Sequence, residues 1–103
     1  MTTPLPPQAL LELPEGLSVY KRTPEWSERT VPAALLHNHT TKPGVWARIV
    51  VLEGKLLYVV ESFGVELELF EGRVGIVLPT VPHRVEPLGM VRFFVEFLRA
   101  EEP

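Results

Sequence analysis

An all-β sandwich or small barrel is the fold this chain predicts, on three observations. Short runs rich in Val, Ile, Leu and Phe recur with turn residues at intervals of about eight to twelve positions, the signature of many short strands. Val65 to Phe70 alternates cleanly, with Val65, Leu67 and Leu69 on one side and Glu66 and Glu68 on the other. No stretch carries a helical period of usual length. At 103 residues the chain makes one domain. A Pro-rich N-terminal arm over residues 1–15 precedes a single barrel over residues 16–100, with about seven or eight strands.

The arm carries Pro4, Pro6, Pro7 and Pro14 around Leu10, Leu11 and Leu13, which are expected to bury against the body or a second subunit. Leu17 to Arg22 reads as the first strand, closed by Thr23-Pro24, and Trp26 follows in a polar loop reaching Thr30. Pro32 to His39 reads as a strand with a polar end. Val45 to Leu52 is apolar on both faces except at Arg48, as suits a strand inside a two-layer core. Glu53-Gly54-Lys55 predicts a hairpin turn, returning through Leu56 to Glu61. Ser62-Phe63-Gly64 and Glu71-Gly72-Arg73 predict the turns on either side of the alternating strand. Pro87 and Gly89 predict a turn over Glu86 to Met90 before a last strand, Val91 to Leu98.

Composition narrows the function classes. A net charge of −3 gives no basic footprint for nucleic acid. Cysteine is absent, which removes disulfides, thiolate zinc sites and cysteine nucleophiles together. No apolar run approaches the roughly 20 residues of a membrane span, and the N-terminus does not read as a signal peptide. A soluble cytoplasmic protein is the expectation. Aspartate is absent, Gln8 and Asn38 are the only side-chain amides, and 11 prolines stiffen the connections. That is a thermophile pattern, which bears on stability and not on function.

The stretch Gly72 to Glu86, GRVGIVLPTVPHRVE, is the centre of the functional reading. Pro79 and Pro82 fix a rigid corner, because proline sets its own φ and biases the residue before it toward extended backbone. His83 emerges directly after that corner, aimed with little freedom left to lose. His37 and His39 form a His-Asn-His pair, and residues two apart on a strand share a face. His39 and His83 from separate strands, with His37 as a third nitrogen, read as ligands for one divalent ion: zinc, iron, nickel or manganese. The plain alternative is that the His37–His39 pair decorates a loop.

Arg48 in an apolar strand needs a reason, since an unpaired buried charge is costly. A carboxylate inside the barrel, an anionic ligand or an edge facing solvent would each supply one. Trp46 shares its face, and Lys42 in the TTKPG turn adds a second cation near the mouth. Glu96 interrupts an otherwise apolar strand. It reads either as the surface partner of Arg92 or as a metal ligand or partner of Arg48. No phosphate loop, nucleophile elbow or HExxH motif is present, and no catalytic residue is assigned.

The arrangement of these residues resembles the cupin superfamily, whose barrels carry two sequence motifs. Gly72, Pro79 and His83 match its second motif, one residue short at the corner. Its first motif is matched only in part: Gly54 closes the hairpin, but the glutamate position falls on Ala47 and the histidines lie upstream. A closer resemblance covers nearly the whole chain. YKRTPEWSERTVP, HTTKPGVWARIVVLEGKL, PTVPHRVEPL and FFVEF resemble the small family related to the N-terminal domain of tellurite-resistance methyltransferases. Within it the family histidines fall on His39 and His83, the Thr-Lys pair on Thr41 and Lys42, the glycine on Gly44, the aromatic on Trp46 and the acidic residue on Glu96.

The resemblance implies a cupin-like jelly-roll barrel. Methyl transfer in that group belongs to a separate nucleotide-cofactor domain. Since this sequence shows no methyl-donor glycine motif, no methyltransferase domain or nucleotide cofactor is expected. Three readings follow. The first is a binding or sensing module for a metal ion or small anion, such as a tellurite-like oxyanion, held by Lys42, Trp46, Arg48, Glu96, His39 and His83 around one cavity. The others are a metal-dependent enzyme on a small organic substrate and a non-catalytic oligomerisation domain. A homodimer fits all three.

Overall fold

The computed structural model describes residues 12–101, so Leu10, Leu11 and most of the expected N-terminal arm lie outside the described residues. Six strands follow in chain order: β1 (Leu17–Arg22), β2 (Trp26–Ser27), β3 (Trp46–Val60), β4 (Val65–Leu69), β5 (Gly75–Val77) and β6 (Arg84–Ala100). Among the described residues there is no α-helix, only short 3-10 turns at Ala33–Leu36 and Glu61–Phe63. All six strands join one antiparallel sheet ordered β1-β6-β3-β4, with β2 on β6 and β5 on β3. The pairing does not close into a ring. No described helix is long and apolar enough to cross a membrane.

Two long strands replace four expected short ones. β3 runs for 15 residues and β6 for 17, and they pair along most of their length. The register slips between Val51 and Glu53 and again between Gly54 and Leu56. Those slips are β-bulges, which bend a strand without ending it. Gly54 sits at the bend with φ +78°, and a Cβ there would lie 1.9 Å from the Met90 carbonyl oxygen. Glycine therefore serves a close backbone crossing here, where the sequence reads as a hairpin. Opposite it, Pro87 and Gly89 lie within β6 and not in a turn. The Val91 amide at this bend donates to Glu28 Oε1 at 3.1 Å.

The segment Pro32 to His39 is also not a strand. Ala33 to Leu36 form a 3-10 turn, in keeping with the helical preference of Ala and Leu and the lack of β-branched residues there. Only His39 pairs, in an isolated bridge with His83. The turn at Ser62 to Gly64 forms as expected, closed by Gly64 with φ 63°.

Bulge and alternation together decide which side chains face the core. Ala47, Ile49 and Val51 of β3 meet Val91, Phe93 and Val95 of β6 on one face, and Leu56, Tyr58, Val65, Leu67 and Leu69 continue it past the bend. Trp26, Val31, Leu35, Leu78 and Val81 pack against this inner face from the connecting segments. Trp26 meets Phe93 edge to face, with centroids 5.9 Å apart.

Candidate functional site

The inner face and its covering segments enclose a narrow cavity of about 40 Å³. Its walls are apolar, from Leu35, Ile49, Val77, Phe93 and Val95, and its polar end is made by His39, Thr41 and His83. Two pieces of backbone bring the histidines there. The Pro79–Pro82 corner places Thr80 at φ +64°, a conformation that β-branched residues rarely adopt, and Thr80 N–H donates to the Thr41 carbonyl at 3.2 Å. From that corner the chain enters the bridge in which the His39 and His83 backbones exchange two hydrogen bonds, of 2.8 and 2.9 Å. The imidazoles then stand edge to face, with centroids 6.0 Å apart.

His83 is only 6% exposed. Burial holds its pKa below the ordinary histidine value. The hydrogen bond to the Val81 carbonyl pulls the other way, and the neighbouring His39 adds to the depression. A carbonyl only accepts, so the 3.2 Å contact between Nδ1 and Val81 O places the ring proton on Nδ1. Nε2 is left with its lone pair. No buried side-chain nitrogen or oxygen lacks a partner among the described residues, so Nε2, which has none, must reach open space. Tyr58 flanks the same ring at 6.0 Å, and its hydroxyl donates to the Ile76 carbonyl at 2.8 Å. Burial raises the Tyr58 pKa well beyond the ordinary tyrosine range.

Beside the cavity a shallow depression of about 300 Å³ opens to the surface. Lys21 and Lys42 line it with Tyr20 and Thr40, and it shares His39, Thr41 and Phe97 with the cavity. The TTKPG turn shapes this wall: Val45 N–H donates to Lys42 O at 3.0 Å, and Gly44 has φ +78°, as the third residue of a type II turn requires. The Thr41 hydroxyl donates to Val45 O at 2.7 Å. The Lys21 ammonium lies 6.0 Å from the Phe97 ring centre.

The residues singled out from sequence thus fall into two groups. His39 and His83 line the cavity, and Lys42 lines the depression beside it, which shares His39. His37 is exposed after the 3-10 turn and lines neither compartment. Trp46, Arg48 and Glu96 lie on the opposite face of the sheet, so the single convergent cavity does not form. Strand parity is the reason: once Ala47 and Ile49 point inward, Trp46 and Arg48 must point outward.

On that outer face Arg22, Glu96 and Arg48 stand in register across β1, β6 and β3. Arg48 donates to Glu96 Oε1 from Nη2 at 2.8 Å and from Nε at 3.1 Å, while Arg22 Nη2 donates to Oε2 at 2.7 Å. Burial raises the Glu96 pKa, but the two arginine hydrogen bonds and charges outweigh it and hold the carboxyl below its ordinary value. Arg48 therefore has a carboxylate partner, and Arg92 pairs with Glu25 and Glu53 instead. Arg22 lies in the segment YKRTPEWSERTVP, but the sequence assigns it no role, since its pairing depends on the register of β1. Among the described residues no group of three or more His, Cys, Asp or Glu is placed to hold a metal ion.

Fold and site define a small all-β domain with an apolar cavity capped by two histidines. The chain belongs to the family of the TehB-like domain, whose model matches residues 21–95. It is 36% identical over 78 residues to a probable S-adenosyl-L-methionine-dependent methyltransferase TehB of Haemophilus influenzae. That match covers 71% of this chain and 27% of the relative, so the chain spans about a quarter of the relative's length. A crystal structure of TehB from H. influenzae superposes with a TM-score of 0.75 at 29% identity, covering 84% of this chain and 32% of that one. An Escherichia coli K12 protein shares the fold, with a TM-score of 0.81 at 24% identity over 90% of this chain and all of the other. The E. coli protein YeaR is 33% identical over 52 residues, 48% of this chain and 44% of its own.

Proposed function

We propose that this TehB-like domain is a binding module for a small anion, taken up at the entrance between Lys21, Lys42 and His39. The observation that carries this reading is the charge of the lining. Two lysines flank the opening, and no carboxylate lines either compartment among the described residues. Neither lysine makes an ion pair with a described acidic side chain at this site, so both ammonium groups are available to a ligand. The bent sheet would act as part of a cupin-like barrel, with the cavity as its mouth. Binding or sensing of an anion, and not methyl transfer, is the role assigned to this domain, in keeping with its kinship to tellurite-resistance proteins.

A divalent metal ion is the second reading, favoured by the anchoring of His83. Metal-ligating histidines usually donate their other ring nitrogen to a carbonyl or carboxylate, as Nδ1 does to Val81. Two imidazoles fall short of the three protein ligands of a catalytic zinc site, so the ion would need atoms from the bound molecule.

Titration of 15N-labelled protein with acetate, inorganic phosphate and, separately, Zn2+ tests both readings. Anion binding moves the Thr41 and Lys42 amides, is weakened about tenfold in the Lys21→Gln/Lys42→Gln variant, and fades as salt shortens the Debye length from roughly 30 Å toward 8 Å. No response to any anion ends the first reading. Equal Zn2+ binding by wild type and His83→Ala ends the second.

A further inference from the structure

The two compartments differ in chemistry while sharing a wall, and together they describe one molecule. The outer depression is cationic, through Lys21 and Lys42. The inner cavity is apolar apart from Thr41, His39 and His83. At the inner polar end two of these groups have their hydrogens already committed. Thr41 donates its hydroxyl hydrogen to Val45 O, and His83 donates its Nδ1 hydrogen to Val81 O. Thr41 Oγ1 and His83 Nε2 are therefore left to accept. A ligand entering the cavity must bring a hydrogen-bond donor or shut His83 Nε2 off from open space without giving it a partner, which costs binding.

Size sets a second limit. A cavity of about 40 Å³ holds roughly three heavy atoms, at about 10–15 Å³ for each water-sized occupant. An inorganic oxyanion fits poorly, because it has no apolar surface for Leu35, Ile49, Val77, Phe93 and Val95 to cover. Building on the anion-binding reading above, we infer that the ligand is a short-chain hydroxycarboxylate. Its carboxylate sits between Lys21 and Lys42, and its short carbon chain passes His39 and Phe97 into the cavity, where its hydroxyl donates to His83 Nε2.

Calorimetric titration with 3-hydroxybutyrate, butyrate, acetate and inorganic phosphate tests this at low salt and neutral pH. Two extra carbons in an apolar cavity raise affinity about tenfold, so butyrate should bind that much more tightly than acetate. The hydroxyl adds a further gain of about fivefold for 3-hydroxybutyrate over butyrate. Lys42→Gln, at an exposed position, should weaken all the carboxylates together. His83→Ala should erase the preference for 3-hydroxybutyrate over butyrate, with a melting curve to confirm folding. Acetate or phosphate binding as tightly as 3-hydroxybutyrate would overturn the hydroxycarboxylate and leave the anion-binding module standing. So would equal affinity for butyrate and 3-hydroxybutyrate. If no anion binds wild type at all, both readings fall, and that result does not depend on any variant folding.

Discussion

Arg48 and Glu96 face each other directly across β3 and β6, and the guanidinium donates to one carboxylate oxygen from two nitrogens. The Glu96 side chain is 7% exposed, against 32% for Arg48 and 61% for Arg22 on its other side. The carboxylate is thus the buried member of the trio, and each arginine keeps contact with water.

Removing that carboxylate leaves two guanidiniums side by side on a largely apolar face. Glu96→Ala should destabilise the fold by about 1–3 kcal/mol, below the full cost of breaking a buried pair because solvent screens both arginines. Arg22→Ala should cost well under half as much, since Arg48 still pairs the acid. Urea unfolding of the two variants gives the comparison, and equal losses would contradict this division of labour.

Two acid-sensitive groups should act in separate pH windows. The His83 pKa is lowered in the folded state, so as pH falls below the ordinary value of 6.5 the unfolded chain takes the proton first. Stability then declines until the folded imidazole also protonates. Glu96 behaves as a depressed carboxyl: its contribution is present above the ordinary value of 4.5 and is lost as pH falls through the lower folded value. Melting temperatures of wild type, His83→Asn and Glu96→Gln across pH 3 to 8 should show each variant flattening one window only.

Glycine at the bend should tolerate no side chain. Gly54→Ala puts a methyl group on the Met90 carbonyl and should cost at least about 2–4 kcal/mol or prevent folding. Gly44 has the same φ of +78° but nothing within 4 Å of a built Cβ, so Gly44→Ala should cost only about 1–2 kcal/mol. Chemical denaturation separates steric contact from backbone strain at matched φ.

Tyr58→Phe deletes a buried donor and strands the Ile76 carbonyl. A loss of about 1–2 kcal/mol is expected, with the cavity otherwise intact. An unchanged melting curve would mean that this carbonyl finds another partner.

Alternation made part of this fold legible in the sequence. Val65 to Leu69 form a strand with the burial that their spacing requires, and the Ser62–Gly64 turn lies where its glycine places it. Gly54, Pro87 and Gly89 misled, because glycine and proline mark bulges as well as turns and local sequence does not say which. The same limit governed the site. His83 follows the proline corner as the sequence reads, and the bridge to His39 sets the two histidines side by side at one end of the cavity. The face taken by Trp46, Arg48 and Glu96 depends on how the sheet packs beneath its covering segments, a long-range outcome that local spacing cannot supply. Lys21 and Arg22 lie in the segment YKRTPEWSERTVP, but which face each takes depends on the register of β1 on β6, which shifts between Val19 and Lys21 and is not set locally.

The paired main-chain bonds between His39 and His83 have a kinetic consequence. They are the first pairing at the mouth of β6, and they hold the segment that covers one wall of the cavity. On the binding reading proposed above, a ligand passing His39 would have to part this clasp. Hydrogen exchange at these two amides would time the parting. If the clasp is the gate, its opening rate, read under conditions where every opening leads to exchange, sets a ceiling on ligand entry, and a bound ligand slows both amides together. The two histidines would then govern how often the chamber opens as well as what it holds.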